Sequence, residues 1–276
     1  MLAKLYPSNY YCHNSALIAN DLSFLGKFKK SINARIGFPK IIRSLMKSLS
    51  SEQSSSVSLL DIGCGNGAAL DMFKKYAPVP ITTTGLDFNE QALKIVASKG
   101  HAILCGRLES IVLPAESFDI IYSSNVIEHI SDPLLMIRQA AHALKPKGIF
   151  LCETPNYNSI DARLFSTSGH WGGFHFPRHW TFFTDKTFIL MAEKGGFEVM
   201  RIDYQPVPIF WIWTLHSFVY RGKGKRDQAD SFFPLFEKQD NFKKIFFLKV
   251  IFTVIDLLLK LFTGKTSLMS VTLRKK

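Results

Sequence analysis

Cysteine is scarce in this chain. Cys12, Cys64, Cys105 and Cys152 stand far apart, form no Cys-x-x-Cys pair and have no histidine at zinc-ligand spacing, which excludes a disulfide framework and a structural zinc. Reduced thiols in a cytoplasmic compartment are expected. No unit recurs at a fixed period, so solenoid and propeller architectures are excluded. The first ten residues carry one lysine and no apolar run of signal-peptide length, so the expectation is a chain that stays inside the cell. A long uncharged apolar run is lacking too: the stretch 245–262 is interrupted by Lys249, Asp256 and Lys260.

What is present is a folding composition, 47% hydrophobic and 20% charged. The 276 residues can bury one substantial core, and a single domain with insertions is simpler than two small ones. The net charge of +12 is uneven. Residues 1–60 hold 8 basic against 2 acidic side chains, 61–200 hold 12 against 14, and 201–276 hold 14 against 6, giving balances of +6, −2 and +8. A near-neutral centre argues against a surface that grips nucleic acid throughout and points to basic flanks that meet something anionic.

Short apolar segments at 58–62, 82–86, 101–105, 118–123 and 148–153 read as buried parallel strands. Helical periodicity fills 68–76, 90–99 and 133–144 between them. This alternation calls for an open α/β sheet with helices on both faces, joined by right-handed crossovers. Upstream, 28–49 reads as one or two helices and the serine-rich 48–58 as a linker. Downstream, a helix over 185–194 closes at Gly195-Gly196, and strands follow at 197–204 and 268–274.

The run Leu59-Leu60-Asp61-Ile62-Gly63-Cys64-Gly65-Asn66-Gly67 leaves a buried strand and opens a helix. Glycine tolerates φ > 0 and lets the backbone approach a ligand closely. Asp87, at the tip of the next strand in Gly85-Leu86-Asp87-Phe88, is placed to take both hydroxyls of an adenosine ribose. NAD enzymes share this layout, and Asp61 separates the two cofactors. A carboxylate just before the first glycine repels a pyrophosphate, whereas it stabilises the ammonium and sulfonium of S-adenosylmethionine (SAM).

Leu60-Asp61-Ile62-Gly63-Cys64-Gly65-Asn66-Gly67, Gly85-Leu86-Asp87, the run from Phe118 through Glu128-His129 to Pro133, and Leu144-Lys145-Pro146-Lys147-Gly148 resemble successive motifs of the class I SAM-dependent methyltransferases, in their usual order. They cover about 58–156, and the core is similar to that of the ubiquinone-pathway methyltransferases and a broad bacterial small-molecule group. The resemblance implies a Rossmann-like, doubly wound, mostly parallel seven-stranded sheet with an antiparallel last strand. It implies SAM as cofactor, with Asp61, Gly63, Cys64 and Gly65 at its methionine part and Asp87 at its ribose. Phe88 and Asn89 would flank the adenine, Arg107, Leu108 and Glu109 would border it, and Asn125 would lie beneath the cofactor. Arg107 replaces the acid more usual in such loops.

Methyl transfer needs alignment of an acceptor and, for a hydroxyl, removal of its proton. His129, at the carboxyl edge of the fourth strand, is the candidate base, with a structural role as the competing reading. The ubiquinone-pathway enzymes carry a glutamate where Asn125 stands, so Asn125 and Glu128-His129 form a weaker ligand set and no required metal is expected. The loop from Gly169 to Thr184 gathers three histidines, two tryptophans and an arginine among glycines and a proline. Trp171, His175, Arg178 and His179 are its candidate substrate residues. Tyr10 and Tyr11, in a segment resembling a lid of that bacterial group, are candidates to close over the cofactor.

The domain reading is a helical lid and linker at 1–57, a SAM-binding core at 58–206 with an acceptor loop at 157–184, an apolar helical insertion at 207–264, and the last core strand at 265–276. Within the insertion Lys249, Thr253, Asp256 and Lys260 recur at helical steps as one polar stripe. Trp211, Trp213 and the basic residues Arg221, Lys223, Lys225 and Arg226 suit a membrane interface. Interfacial membrane contact on the inner face, burial in a homodimer or against the core, and a transmembrane hairpin are the three readings of 207–264. The expected function is methylation of a small-molecule acceptor, at a hydroxyl of a hydrophobic, lipid-linked or sugar-like compound. No nucleic-acid partner is expected, because the Asn/Asp-Pro-Pro-aromatic motif for a flipped base is missing. An NAD-dependent oxidoreductase and a catalytically idle SAM-binding scaffold are the alternatives.

Overall fold

A computed structural model of the chain describes residues 37–49, 56–175, 177–221 and 242–276. The lid residues Tyr10 and Tyr11, the start of the 28–49 helix, most of the serine-rich linker and the basic loop after Arg221 lie outside the described residues.

Alternate residues of the central strands face opposite ways, and both sets are apolar because both sheet faces are covered. In β1 (Val57–Ile62), Leu59 joins the cluster containing Leu70, Phe73 and Val96, and Leu60 joins the cluster containing Met136, Ile137 and Phe188. Each such side chain contributes about 1.5–3 kcal/mol by burial. The other parallel strands are β2 (Ile81–Asp87), β3 (Ala102–Cys105), β4 (Phe118–Ser124) and β5 (Leu144–Pro155). With β6 (Phe197–Gln205) and β7 (Leu268–Lys275) they form a seven-stranded sheet in the order β3-β2-β1-β4-β5-β7-β6, and β7 runs antiparallel to both neighbours.

One face carries α1 (Phe38–Ser48), α2 (Ala68–Tyr76) and α3 (Glu90–Ser98); the other carries α4 (Pro133–Ala143) and α6 (Asp185–Lys194), with the short α5 (Ile160–Phe165) between those two in sequence. Their starts are capped locally, by Asn89 for α3, Asp132 for α4 and a Thr184/Thr187 box for α6. β5 begins earlier than the apolar run at 148–153, since its register jumps at β4 between Phe118 and Ile120, where Lys147 takes a φ of +62°. Strand order reverses between β1 and β4, and the crevice above that switch point is where an open α/β sheet receives its ligand.

The insertion forms α7 (Pro208–Arg221) and α8 (Phe242–Thr263). α7 packs against a 3₁₀ turn at Gly172–Phe174, with Gly172 N–H donating to Thr214 Oγ1 at 2.8 Å, and α8 packs against α7 through Phe252 stacked on Trp211. No described helix is long and apolar enough to cross a membrane, which overturns the transmembrane-hairpin reading for these residues.

Candidate active site

The glycine turn after β1 is left-handed at Gly63 (φ +75°), Gly65 (+51°) and Gly67 (+78°). A Cβ on Gly63 would stand 2.4 Å from Val126 Cγ2, so only glycine fits there. The Gly63 and Cys64 amides donate to the Leu86 carbonyl at 2.8 and 3.0 Å, which clamps the turn to the end of β2. Asp87 follows at once. Its Oδ2 accepts from the Gly65 amide and its Oδ1 from the Asn89 amide, both at 2.9 Å, so the carboxylate is fixed while each oxygen keeps further acceptor capacity.

Beneath the turn lies a concentration of acid. Asp61 is buried, and burial first, then the charges of Asp87 and Glu153, hold its carboxyl well above the usual range. Glu153 is held by Tyr122 Oη at 2.7 Å, Gln205 Nε2 at 2.8 Å and Ser270 Oγ at 2.7 Å. Such a floor repels a pyrophosphate and gains from a cation.

A cavity of about 420 Å³ opens above this floor. Of the residues expected from sequence, Gly63, Gly65, Asp87, Phe88, Arg107, Leu108, Glu109, Asn125, His129, His175 and His179 line it. Phe88 is half-exposed at its rim, and Arg107 is tied to Glu109 at 3.0 Å. Asn125 adopts a φ of +53° at the end of β4.

Five expected residues are placed otherwise. Asp61 is buried outside the cavity lining, and its raised carboxyl favours the neutral form until a cation stands nearby. Cys64 is turned inward, its Sγ occupying the space a Cβ on Gly85 would need, at 2.6 Å. Asn89 spends its side chain capping α3, accepting from Gln91 and Ala92 amides, so it does not flank the cavity. Trp171 is buried in an aromatic cluster with Tyr157, Phe174 and Phe182 and donates from Nε1 to Asp161 at 2.8 Å. Arg178 is buried outside the cavity, and its backbone carbonyl takes the hydrogen bond of His129 Nδ1 at 3.1 Å. Trp171 and Arg178 thus build the acceptor loop instead of lining the cavity.

The cavity's far side gathers three imidazoles. His129 meets His179 edge-on at 4.6 Å, His179 meets His175 at 5.0 Å, and His175 stacks on Trp213 at 5.1 Å. A backbone carbonyl only accepts, so the Nδ1 atoms of His129 and His179, on Arg178 and Gly173 carbonyls, carry the hydrogens and each Nε2 keeps its lone pair. Burial lowers His129 to about 4 and, together with Arg178 and His129, lowers His175 to about 3; it lowers His179 as well. All three are neutral at pH 7. Glu128 is buried, its Oε2 accepting from Thr154 at 3.0 Å and its Oε1 unpartnered among the described residues, 3.9 Å from His179 Nε2. Burial raises its carboxyl to about 8. Donor atoms of Glu128, His129 and His179 all lie within 4.8 Å of one another, a set that could hold a metal ion and that the sequence did not assemble because His179 is fifty residues downstream.

The apolar wall was not read from the sequence. Val207, Ile209, Phe210 and Trp213, from the start of the insertion, line the cavity together with Val126 and Ile130. Their signal was present in the tryptophan-bearing stretch after Val207, where the paired aromatics read equally well as a membrane contact.

Comparison with known proteins agrees with this geometry. The model of a methyltransferase domain family matches residues 34–202. The chain is 27% identical over 167 residues, 58% of its length and 68% of the relative's, to a ubiquinone biosynthesis O-methyltransferase of Cereibacter sphaeroides. The fold is shared with the YcgJ protein of Bacillus subtilis (TM-score 0.55, 17% identity, 87% of this chain and 97% of that one). It is also shared with an S-adenosylmethionine dependent methyltransferase of Mesorhizobium loti (TM-score 0.52, 15% identity, 88% and 100%).

Proposed function

Because the chain belongs to the methyltransferase domain family and takes SAM as its cofactor, we propose that its acceptor is a hydroxyl oxygen on a hydrophobic small molecule. One observation carries this reading: a single cavity joins the acidic glycine cradle to the three imidazoles and to a wall of Val207, Ile209, Phe210 and Trp213.

The cradle fits the cofactor in shape and charge. The glycine turn admits the methionine part, Asp87 offers two fixed oxygens to the ribose hydroxyls, and Asp61, Asp87 and Glu153 favour the positive charge. Phe88 and the loop Arg107–Glu109 border the adenine end. When bound, SAM supplies a methyl group on a sulfonium that leaves readily.

The chain's part is to orient the acceptor and take its proton. The apolar wall holds the acceptor's hydrophobic body and excludes water. His129 Nε2 accepts the hydroxyl proton as the oxygen attacks, because its Nδ1–H is committed to the Arg178 carbonyl. The adjacent Glu128 carboxyl, one of whose oxygens has no partner among the described residues, lies within 4.8 Å of the His129 and His179 nitrogens and turns an acceptor oxygen toward the imidazolium that forms. His175 and His179 complete the wall and set the orientation of His129.

Incubation with methyl-labelled SAM and paired hydrophobic alcohols, phenols and amines tests this reading. Label is expected on oxygen, and label confined to the amines would overturn it. His129→Ala should lower turnover by about 10²–10⁴-fold with SAM affinity unchanged. A second reading, a divalent cation held by Glu128, His129 and His179, is favoured by the closeness of their donor atoms. Turnover that persists after chelation supports the base; turnover lost to chelation and restored by zinc or manganese supports the cation.

A further inference from the structure

α8 is an amphipathic helix mounted inside out. Its polar stripe faces the protein: Asp256 is buried and accepts from the Val207 amide at 2.9 Å and from Trp211 Nε1 at 2.7 Å, and Lys260 Nζ donates to the Tyr204 carbonyl at 2.6 Å. Its apolar face points to solvent. Phe247, Val250, Val254, Leu257, Leu261 and Phe262 are each 46–80% exposed, and their spacing draws one stripe about 20 Å long. A helix at rest against water carries the opposite arrangement, and a stripe of this size marks a surface that meets something apolar.

We infer that this face of α8 docks on a membrane surface bearing anionic headgroups, with the helix lying flat and its apolar side chains in the acyl boundary. Crossing is not open to the described helices, and Lys249, Asp256 and Lys260 divide the apolar run. Charge decides between a bilayer and a second copy of the chain. α8 itself carries Lys243, Lys244, Lys249 and Lys260 against the single acid Asp256, and a two-fold dimer through α8 would bring this excess against itself. An anionic leaflet presents the opposite charge beside an apolar interior.

The docking surface is connected to the cavity. Asp256 ties α8 to Val207 and to Trp211 of α7, while Val207 and the α7 residues Ile209, Phe210 and Trp213 line the cavity. A helix lying on the bilayer therefore sets the orientation of the cavity's apolar wall. The inference rests on α8 itself and not on which atom receives the methyl group.

The test is flotation of the full chain with phosphatidylcholine vesicles, with and without phosphatidylglycerol. The protein should rise with the anionic vesicles, and salt should weaken the association. A Val254→Glu/Leu257→Glu/Leu261→Glu variant should lose about tenfold in bound fraction while binding SAM as the wild type does, which shows that it is folded. Leu261→Glu alone, at a site 76% exposed, should show a smaller loss. Wild type remaining at the bottom with anionic vesicles, or the triple variant floating equally well, would overturn the inference. A dimer by size exclusion that the triple variant splits, with no flotation, would assign the face to a second copy and also overturn it.

Discussion

At the scale of single residues, two positions bear most of the cofactor argument. Gly63 is held left-handed with Val126 against the place of its missing Cβ, so Gly63→Ala should cost about 1–2 kcal/mol from backbone conformation alone and more from the contact. The expected result is a lowered melting midpoint and weaker SAM binding, measured by scanning fluorimetry with and without SAM; an unchanged protein would mean that the turn relaxes freely. Asp87 is legible in the sequence because its place depends only on the end of β2 and the spacing from the glycines. Trp171 and Arg178 are not legible in the same way. Composition marks their loop as unusual, but whether an aromatic or a guanidinium turns inward depends on partners such as Asp161 that the spacing does not reveal. His179 shows the reverse: it reaches Glu128 and His129 only because the acceptor loop folds back onto the turn after β4, where the Trp180 amide donates to the Glu128 carbonyl at 2.8 Å.

At the scale of elements, the parallel half of the sheet is the part local chemistry writes most clearly. The helices read at 68–76 and 185–194 are α2 and α6 with the same bounds, since apolar period, caps and flanking glycines agree there. The insertion is harder, because periodicity reports that α8 has a polar stripe and not which side the stripe faces. Asp256 settles that question by pairing with Val207 and Trp211. Asp256→Ala should leave these two donors without their acceptor and destabilise the α7–α8 unit by about 1–3 kcal/mol. Hydrogen exchange should show faster opening of α7 and α8 with β1–β5 unaffected, and equal protection throughout would remove Asp256 from this role.

At the scale of the whole molecule, the buried ionisable cluster shapes stability. Histidines whose pKa is lowered by burial stabilise the fold fully above the unfolded histidine value near 6.5 and lose that contribution as pH falls toward about 4. Glu128, raised to about 8, acts in the other direction: its contribution is complete below the unfolded carboxylate range and is lost as pH rises toward 8. Asp61, also raised by burial and by its acidic neighbours, acts in the same direction as Glu128, so the lowered histidines shape the acid limb of the melting midpoint and the raised carboxyls its alkaline limb. His179→Asn should flatten the acid limb and Glu128→Gln the alkaline limb, as read from melting curves across pH; a single-sided profile would contradict the assignment. Methyl transfer by this chain requires SAM to lie in the cradle between Asp87 and the imidazoles. Calorimetric titration of SAM into the wild type and into Asp87→Ala examines that most directly. One-site binding in the wild type and affinity about tenfold to hundredfold weaker in the variant are predicted, from loss of charge-assisted hydrogen bonds to the ribose. Equal affinity in the two proteins, or no binding to either, would contradict it.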